Sequence, residues 1–224
     1  MKQLNVIHED NHLLGVHKPA GLLVQGDRSG DPTLIEAAKG YLKERYHKPG
    51  NVFIGLVHRL DRNVSGVVVL ARTSKAAGRL SAGFRAGTVK KTYQAVTCGR
   101  PPATGGDLRH WLAAAGDRQG VTSAAAEPFA GAREALLSYR VLDERDGYCL
   151  VEVVPVTGRR HQIRAQMALA GCPLLGDVKY GAPERLPARR IALHALRLVL
   201  AHPVGGSELV LETAPGPDWP WPSG

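Results

Sequence analysis

The chain has 224 residues, enough for one large domain with a substantial core, and its 29 lysines and arginines against 20 aspartates and glutamates leave a net charge of +9. That balance favours an anionic partner, either nucleic acid or a membrane surface. Met1 to Asp10 lacks the apolar run of a secretory leader and no stretch approaches the length of a transmembrane helix, so a cytoplasmic location is expected. Cys98, Cys149 and Cys172 are too few and too widely spaced for a disulfide framework, and the nine histidines show no paired ligand spacing, so reduced thiols and no metal site are expected.

Leu13 to His17 reads as a first strand, the turn Lys18-Pro19-Ala20-Gly21 ends it, and Leu22 to Val24 resumes the extended pattern. Asp31 is placed to cap a helix with Pro32 at its first position, Leu34, Ile35, Ala38 and Leu42 on one side, and an end by Tyr46. Val52 to Val57 and Val67 to Ala71 are short, β-branched and bounded by turn residues, which predicts two more strands. Between them His58-Arg59-Leu60-Asp61-Arg62-Asn63-Val64-Ser65-Gly66 puts one acid in a basic loop. Asp61 is the candidate catalytic residue, because a loop on a rigid support leaves its side chains to meet a ligand.

Thr73 or Ser74 can cap a second helix with Ala77, Leu80 and Phe84 facing inward and Gly87 as its stop, and Lys90 to Cys98 alternates as a strand carrying Tyr93. Residues 99–134 lack periodicity and read as an insertion holding a hairpin or a short helix. A hairpin follows, Ala135 to Leu142 and Tyr148 to Val156, around Asp146-Gly147. Thr157 to Gly171 predicts a helix in which Ile163, Met167 and Ala170 share a face while Arg160 and Arg164 lie one turn apart on another, suited to phosphate or carboxylate. From Thr157 to His202 there are eight positive residues against two negative, so a polyanion is expected to approach this part of the surface. Strands at Ile191 to Leu200 and Leu209 to Leu211 precede an irregular tail from Ala214, whose Trp219 and Trp221 are expected to cover core surface.

Six segments, in order, resemble the RluA-type pseudouridine synthase family. Lys18-Pro19-Ala20-Gly21-Leu22 resembles its KPxGL segment, His58 to Asp61 with Ser65-Gly66 its HRLDxxTSG motif, and Lys91-Thr92-Tyr93 its KxY strand. Thr157-Gly158-Arg159 with His161 to Arg164 resembles TGRxHQIR, Gly176-Asp177 with Tyr180-Gly181 resembles GDxxYG, and Leu193-His194-Ala195 resembles the late LHA strand. Val64 departs from the family's usual Thr and removes a hydroxyl beside Ser65.

The resemblance implies an α+β fold, a mixed and largely antiparallel sheet flanked by helices, in a single catalytic domain over 1–224 without a preceding S4 module. It implies that Asp61 is the nucleophilic acid, Tyr93 the active-site tyrosine and Arg164 the basic partner that orients Asp61. Arg59, Arg62, Arg159, Arg160, His161 and Gln162 are the expected RNA contacts. The implied reaction isomerises uridine in tRNA or rRNA to pseudouridine without cofactor or metal, after the target base is flipped out of its stack. The absence of a heptad seam makes a monomer the expectation. Two other classes compete: a catalytically silent RNA-binding protein, against which the intact Asp61, Tyr93 and Arg164 speak, and a glycoside hydrolase, which would need a second carboxylate that this loop does not offer.

Overall fold

The computed structural model describes residues 4–114 and 121–221. In chain order the elements are β1 (Asn5–Glu9), β2 (Leu13–Lys18), α1 (Leu34–Arg45), β3 (Gly55–Leu56), β4 (Ser65–Ala71), α2 (Ser74–Ala86), β5 (Lys90–Cys98), β6 (Gly105–Ala114), β7 (Thr122–Ala125), β8 (Arg133–Arg145), β9 (Tyr148–Pro155), α3 (Gln162–Leu169), β10 (Leu193–Ala201) and β11 (Glu208–Glu212). They form two compact units, Met1–Lys90 with Ala195–Pro215 and Lys91–His194 with Gly216–Gly224. The class is α+β with largely antiparallel strands, as expected.

In the first unit β4 pairs antiparallel with β2, β2 with β1, and β10 with β11. Every residue of β4 after Ser65 is buried. Leu13, Val67, Val69, Ala71, Leu198, Leu200 and Leu211 pack against Ala76 and Leu80 of α2. Each such Leu or Val contributes about 1.5–3 kcal/mol by leaving water, so β4 is a stiff support for the loop that precedes it. Thr73 caps α2 and Gly87 closes it in the left-handed conformation, as the sequence predicts.

Three expectations here are corrected. The cap of α1 is Thr33, not Asp31: its hydroxyl accepts from Glu36 N while the Glu36 carboxylate accepts from Thr33 N, a reciprocal box that satisfies two amides at once. Of the strand expected over Val52 to Val57 only Gly55–Leu56 pairs with β4, at Ala71 and Leu70. Further along β4 the backbone of Ala195 in β10 lies against Gly66. Likewise Leu22 to Val24 yields a single bridge, Leu23 to Thr33.

In the second unit the strand order is β5-β9-β8-β6-β7, each pairing antiparallel. Asp146 (φ 51) and Gly147 (φ 80) make the two-residue turn between β8 and β9, both with the positive φ that a right-twisted hairpin needs. The stretch 99–134 contributes β6, which pairs with β8 over Gly105 to Leu112, and β7. Alternating polarity is weak in Gly105-Gly106-Asp107, and these residues become strand because β8 supplies their hydrogen bonds. Ala165 of α3 packs on Leu112 and Ala135, and Trp219 and Trp221 of the tail pack around Val96, Leu175 and Ala192, as expected of core-covering residues.

The helix expected from Thr157 begins only at Gln162. Thr157 to His161 form a turn instead, because the Gln162 side chain competes for their backbone. Its Oε1 accepts from Thr157 Oγ1 (2.8 Å) and Arg159 N (2.9 Å), its Nε2 donates to Leu136 O (2.9 Å), and His161 sits at φ 52. Arg160 therefore does not share a helical face with Arg164: it is exposed in the turn, while Arg164 is buried. Among the described residues no helix is long and apolar enough to cross a membrane, and no group of three or more His, Cys, Asp or Glu side chains could hold a metal ion.

Candidate active site

Asp61 lies in the loop that leads into β4, and this loop is fastened by residues on both sides of it. Val64 N donates to Asp61 O (3.1 Å) and closes the turn, and the Val64 side chain is buried, so the position that usually carries Thr is here filled by an apolar group. His58 Nε2 accepts from Val69 N (3.0 Å), which places the ring proton on Nδ1, and the ring stacks on Phe84 at 4.6 Å. The loop's entrance is thus bonded to the strand at its exit.

The strongest fastening comes from Lys18, at the end of β2. Its side chain is 0% exposed, and Nζ donates to Pro19 O (3.0 Å), Leu22 O (2.9 Å) and Arg62 O (3.1 Å). Three donors meet three carbonyls, so the ammonium ties the Pro19 to Leu22 turn to the residue after Asp61. Burial pushes the Lys18 pKa down to about 7, the Asp61 carboxylate pulls it back up, and Arg62 pushes it lower. Arg62 reinforces the same turn: Nε donates to Gly21 O (3.0 Å), Gly21 N donates to Arg62 O (2.7 Å), and Nη1 pairs with Asp31 at 2.7 Å. Arg59 is exposed.

The other candidate residues belong to the second unit. Arg164, on α3, binds Asp177 in a fork, Nε to Oδ2 at 2.6 Å and Nη2 to Oδ1 at 2.8 Å, with side chains 6% and 1% exposed. The ring of Tyr180 lies 4.9 Å from the Arg164 guanidinium carbon. Tyr180 itself is fixed, its hydroxyl accepting from Thr122 N (2.8 Å) and meeting His161 Nδ1 at 3.0 Å. So β7, the turn before α3 and the segment after it hold Arg164 in one orientation. Tyr93 is half-buried on β5, opposite Val153 of β9. Lys91 Nζ donates to Thr157 O (3.4 Å), Arg159 Nε to Glu134 O (2.9 Å), and Arg160 O accepts from Thr122 Oγ1 (3.2 Å).

The structure therefore gathers Arg159, Arg160, His161 and Gln162 in one turn next to Arg164, and gathers Asp61 and Arg62 in one loop. It adds four residues that had no assigned role in the sequence: Lys18, His58, Asp177 and Tyr180. A lysine before Pro at a strand end, and an acid between Gly176 and a downstream Tyr-Gly, were the available signals. Neither reveals burial.

A single acid in a clamped basic loop, and an arginine fixed by a buried acid and a tyrosine, both on an α+β framework, fit an enzyme that acts on a polyanion. The family model for RNA pseudouridylate synthase matches residues 12–169, and the chain belongs to that family. It is 35% identical over 210 residues to a protein of Rickettsia conorii called ribosomal large subunit pseudouridine synthase C, covering 92% of this chain and 66% of that one. A ribosomal large subunit pseudouridine synthase D from Pseudomonas aeruginosa is 33% identical over 238 residues, covering 98% of this chain and 70% of its own length. The chain thus spans about two thirds of the length of these relatives. Among solved structures, human RNA pseudouridylate synthase domain containing 4 superposes with a TM-score of 0.80 at 27% identity, covering 96% of this chain and 90% of that one.

Proposed function

We propose that the chain acts as one catalytic domain, a monomeric, cytoplasmic RNA pseudouridine synthase that isomerises uridines of large-subunit ribosomal RNA. The observation that carries this is Asp61, the lone acid of a loop clamped by Lys18, His58 and Arg62. The names of the relatives from Rickettsia conorii and Pseudomonas aeruginosa support ribosomal RNA over transfer RNA.

The reaction breaks the N1–C1′ bond, turns the detached uracil and forms a C5–C1′ bond, after which the proton at C5 leaves and the freed N1 takes one up. Atoms and electrons balance within the substrate, so the chemistry calls for no cofactor. In this reading the target uridine is flipped out of its stack, and Asp61 acts either by adding to C1′ or to the ring, or by stabilising charge while a glycal forms. Arg164, gripped through Nε and Nη2 by Asp177, is in this reading the basic residue that orients Asp61. Tyr93 stacks on the uracil and serves proton transfer at C5. Arg59, Arg62, Arg159, Arg160 and His161 contact the RNA, and Gln162 serves them by shaping the turn they stand on.

The test is an assay for pseudouridine in ribosomal RNA lacking the modification, incubated with wild type and with Asp61→Ala. Product with wild type and none with the variant supports the reading. No product with any cellular RNA refutes it, and RNA binding that survives without product would favour a silent RNA-binding protein.

A further inference from the structure

A second aromatic and basic surface lies in the first unit, where α1 ends. Glu9, 10% exposed, collects four partners: Tyr41 OH at 2.8 Å, Tyr46 OH at 2.5 Å, Arg72 Nη1 at 3.2 Å and Arg45 Nε at 3.3 Å. Arg72, 8% exposed, also donates to Asp10 O, and its guanidinium carbon lies 4.8 Å from the Tyr46 ring centroid. Tyr46 is therefore pinned at its hydroxyl and backed by a buried cation, yet the residue is 44% exposed. Around it stand the exposed cations Lys43, Arg45 and Lys48, the last with its ammonium 5.8 Å from the same ring, and Phe53 follows at 51% exposure.

Burying a cation behind a tyrosine that stays open to solvent does little for a core. It does make a rigid stacking surface, since the ring loses little further freedom when a planar group settles on it. The cations that flank it are placed to neutralise phosphates. With four cations against Glu9 and Glu44, the surface keeps a positive surplus.

We propose that Tyr46, backed by Arg72 and flanked by Lys43, Arg45 and Lys48, stacks on a base of the substrate RNA at a point remote from the modified uridine. This rests on the RNA-modifying reading above. The separation follows from β4: Arg72 comes six residues after Gly66, which at about 3.3 Å per residue is roughly 20 Å. At about 3.4 Å per stacked nucleotide, that is about six nucleotides.

The test uses ribosomal RNA fragments that carry the wild-type protein's own modified uridine, with about three or about twelve nucleotides on each side. Tyr46→Ala should raise KM and weaken filter-bound RNA retention about tenfold on the long fragment, with kcat unchanged and no change on the short one. Lys43→Glu with Lys48→Glu, two exposed sites that leave the Glu9 network intact, should do the same and lower the salt dependence of binding by about one or two phosphate contacts. Long-fragment values within twofold of wild type for the charge-reversed protein would overturn the proposal. So would an equal defect on both lengths, which marks damage to the fold. Should wild type retain large-subunit ribosomal RNA but form no pseudouridine, retention of short and long fragments of the RNA it binds judges this surface and only the catalytic reading falls. Absence of both retention and product overturns both.

Discussion

Replacing Lys18 with methionine removes the ammonium that joins the Pro19 to Leu22 turn to Arg62 while keeping most of the buried volume. Two large terms oppose each other. Three buried carbonyls, Pro19 O, Leu22 O and Arg62 O, lose their shared donor, at about 1–3 kcal/mol each. Against this, the folded protein no longer has to hold a charge whose pKa burial has lowered from 10.5 to about 7, a relief of about 5 kcal/mol. The net change lies between a gain of about 2 and a loss of about 4 kcal/mol, so the variant should fold. The catalytic loop would lose its fastening beside Asp61, and a misplacement of about 1 Å costs about 100-fold in rate, which single-turnover pseudouridine formation would read. Stability carries a second signature. Because the folded pKa is depressed, the cost of charging Lys18 is full below pH 7 and is relieved as pH rises towards 10.5. Wild type should therefore gain on Lys18→Met by about 4 kcal/mol between pH 7 and 10 in urea melts. A stability difference that stays flat with pH, or a single-turnover rate within twofold of wild type, would refute the reasoning.

Other perturbations separate the remaining roles. Asp177→Asn breaks the buried fork to Arg164 and should destabilise by about 3–5 kcal/mol in thermal melts, whereas Arg164→Met with Asp177→Leu should recover most of that stability and none of the activity. A double variant as unstable as the single would show that stranded charge is not the cause. Gly66→Ala would put a methyl 2.3 Å from Ala195 O at φ 124, so a loss above about 3 kcal/mol or insoluble protein is expected, and an unchanged melting temperature would contradict the packing of β4 on β10. Tyr93→Phe should leave KM within about threefold while lowering the single-turnover rate about 100-fold or more; an unaltered rate confines Tyr93 to stacking.

Features set by near neighbours in the chain were legible in the sequence. The Thr73 cap and Gly87 stop of α2, the span of β5, and the Asp146-Gly147 turn each depend on a few adjacent dihedrals and donors, so composition and spacing suffice. The cap of α1 is not legible in the sequence because Asp31 and Thr33 both offer an oxygen near the same amides, and only the reciprocal reach of Glu36 chooses between them. The start of α3 is hidden from the sequence for a longer-range reason: Gln162 draws on Leu136 O, 26 residues away, and this contact holds the Thr157 turn out of the helix. With that turn, Arg160 moved away from Arg164.

The sequence by itself determined the family. Its basic surplus, the order of its motifs and the single acid at position 61 are all one-dimensional facts, and the family membership follows from them. Only the tertiary structure decided which polar groups are buried. Lys18 looks like an ordinary turn lysine until Leu22 O and Arg62 O close around it, and Asp177 like an ordinary loop acid until Arg164 forks onto it. Desolvation depends on what the rest of the chain packs around a group, and no local pattern encodes it.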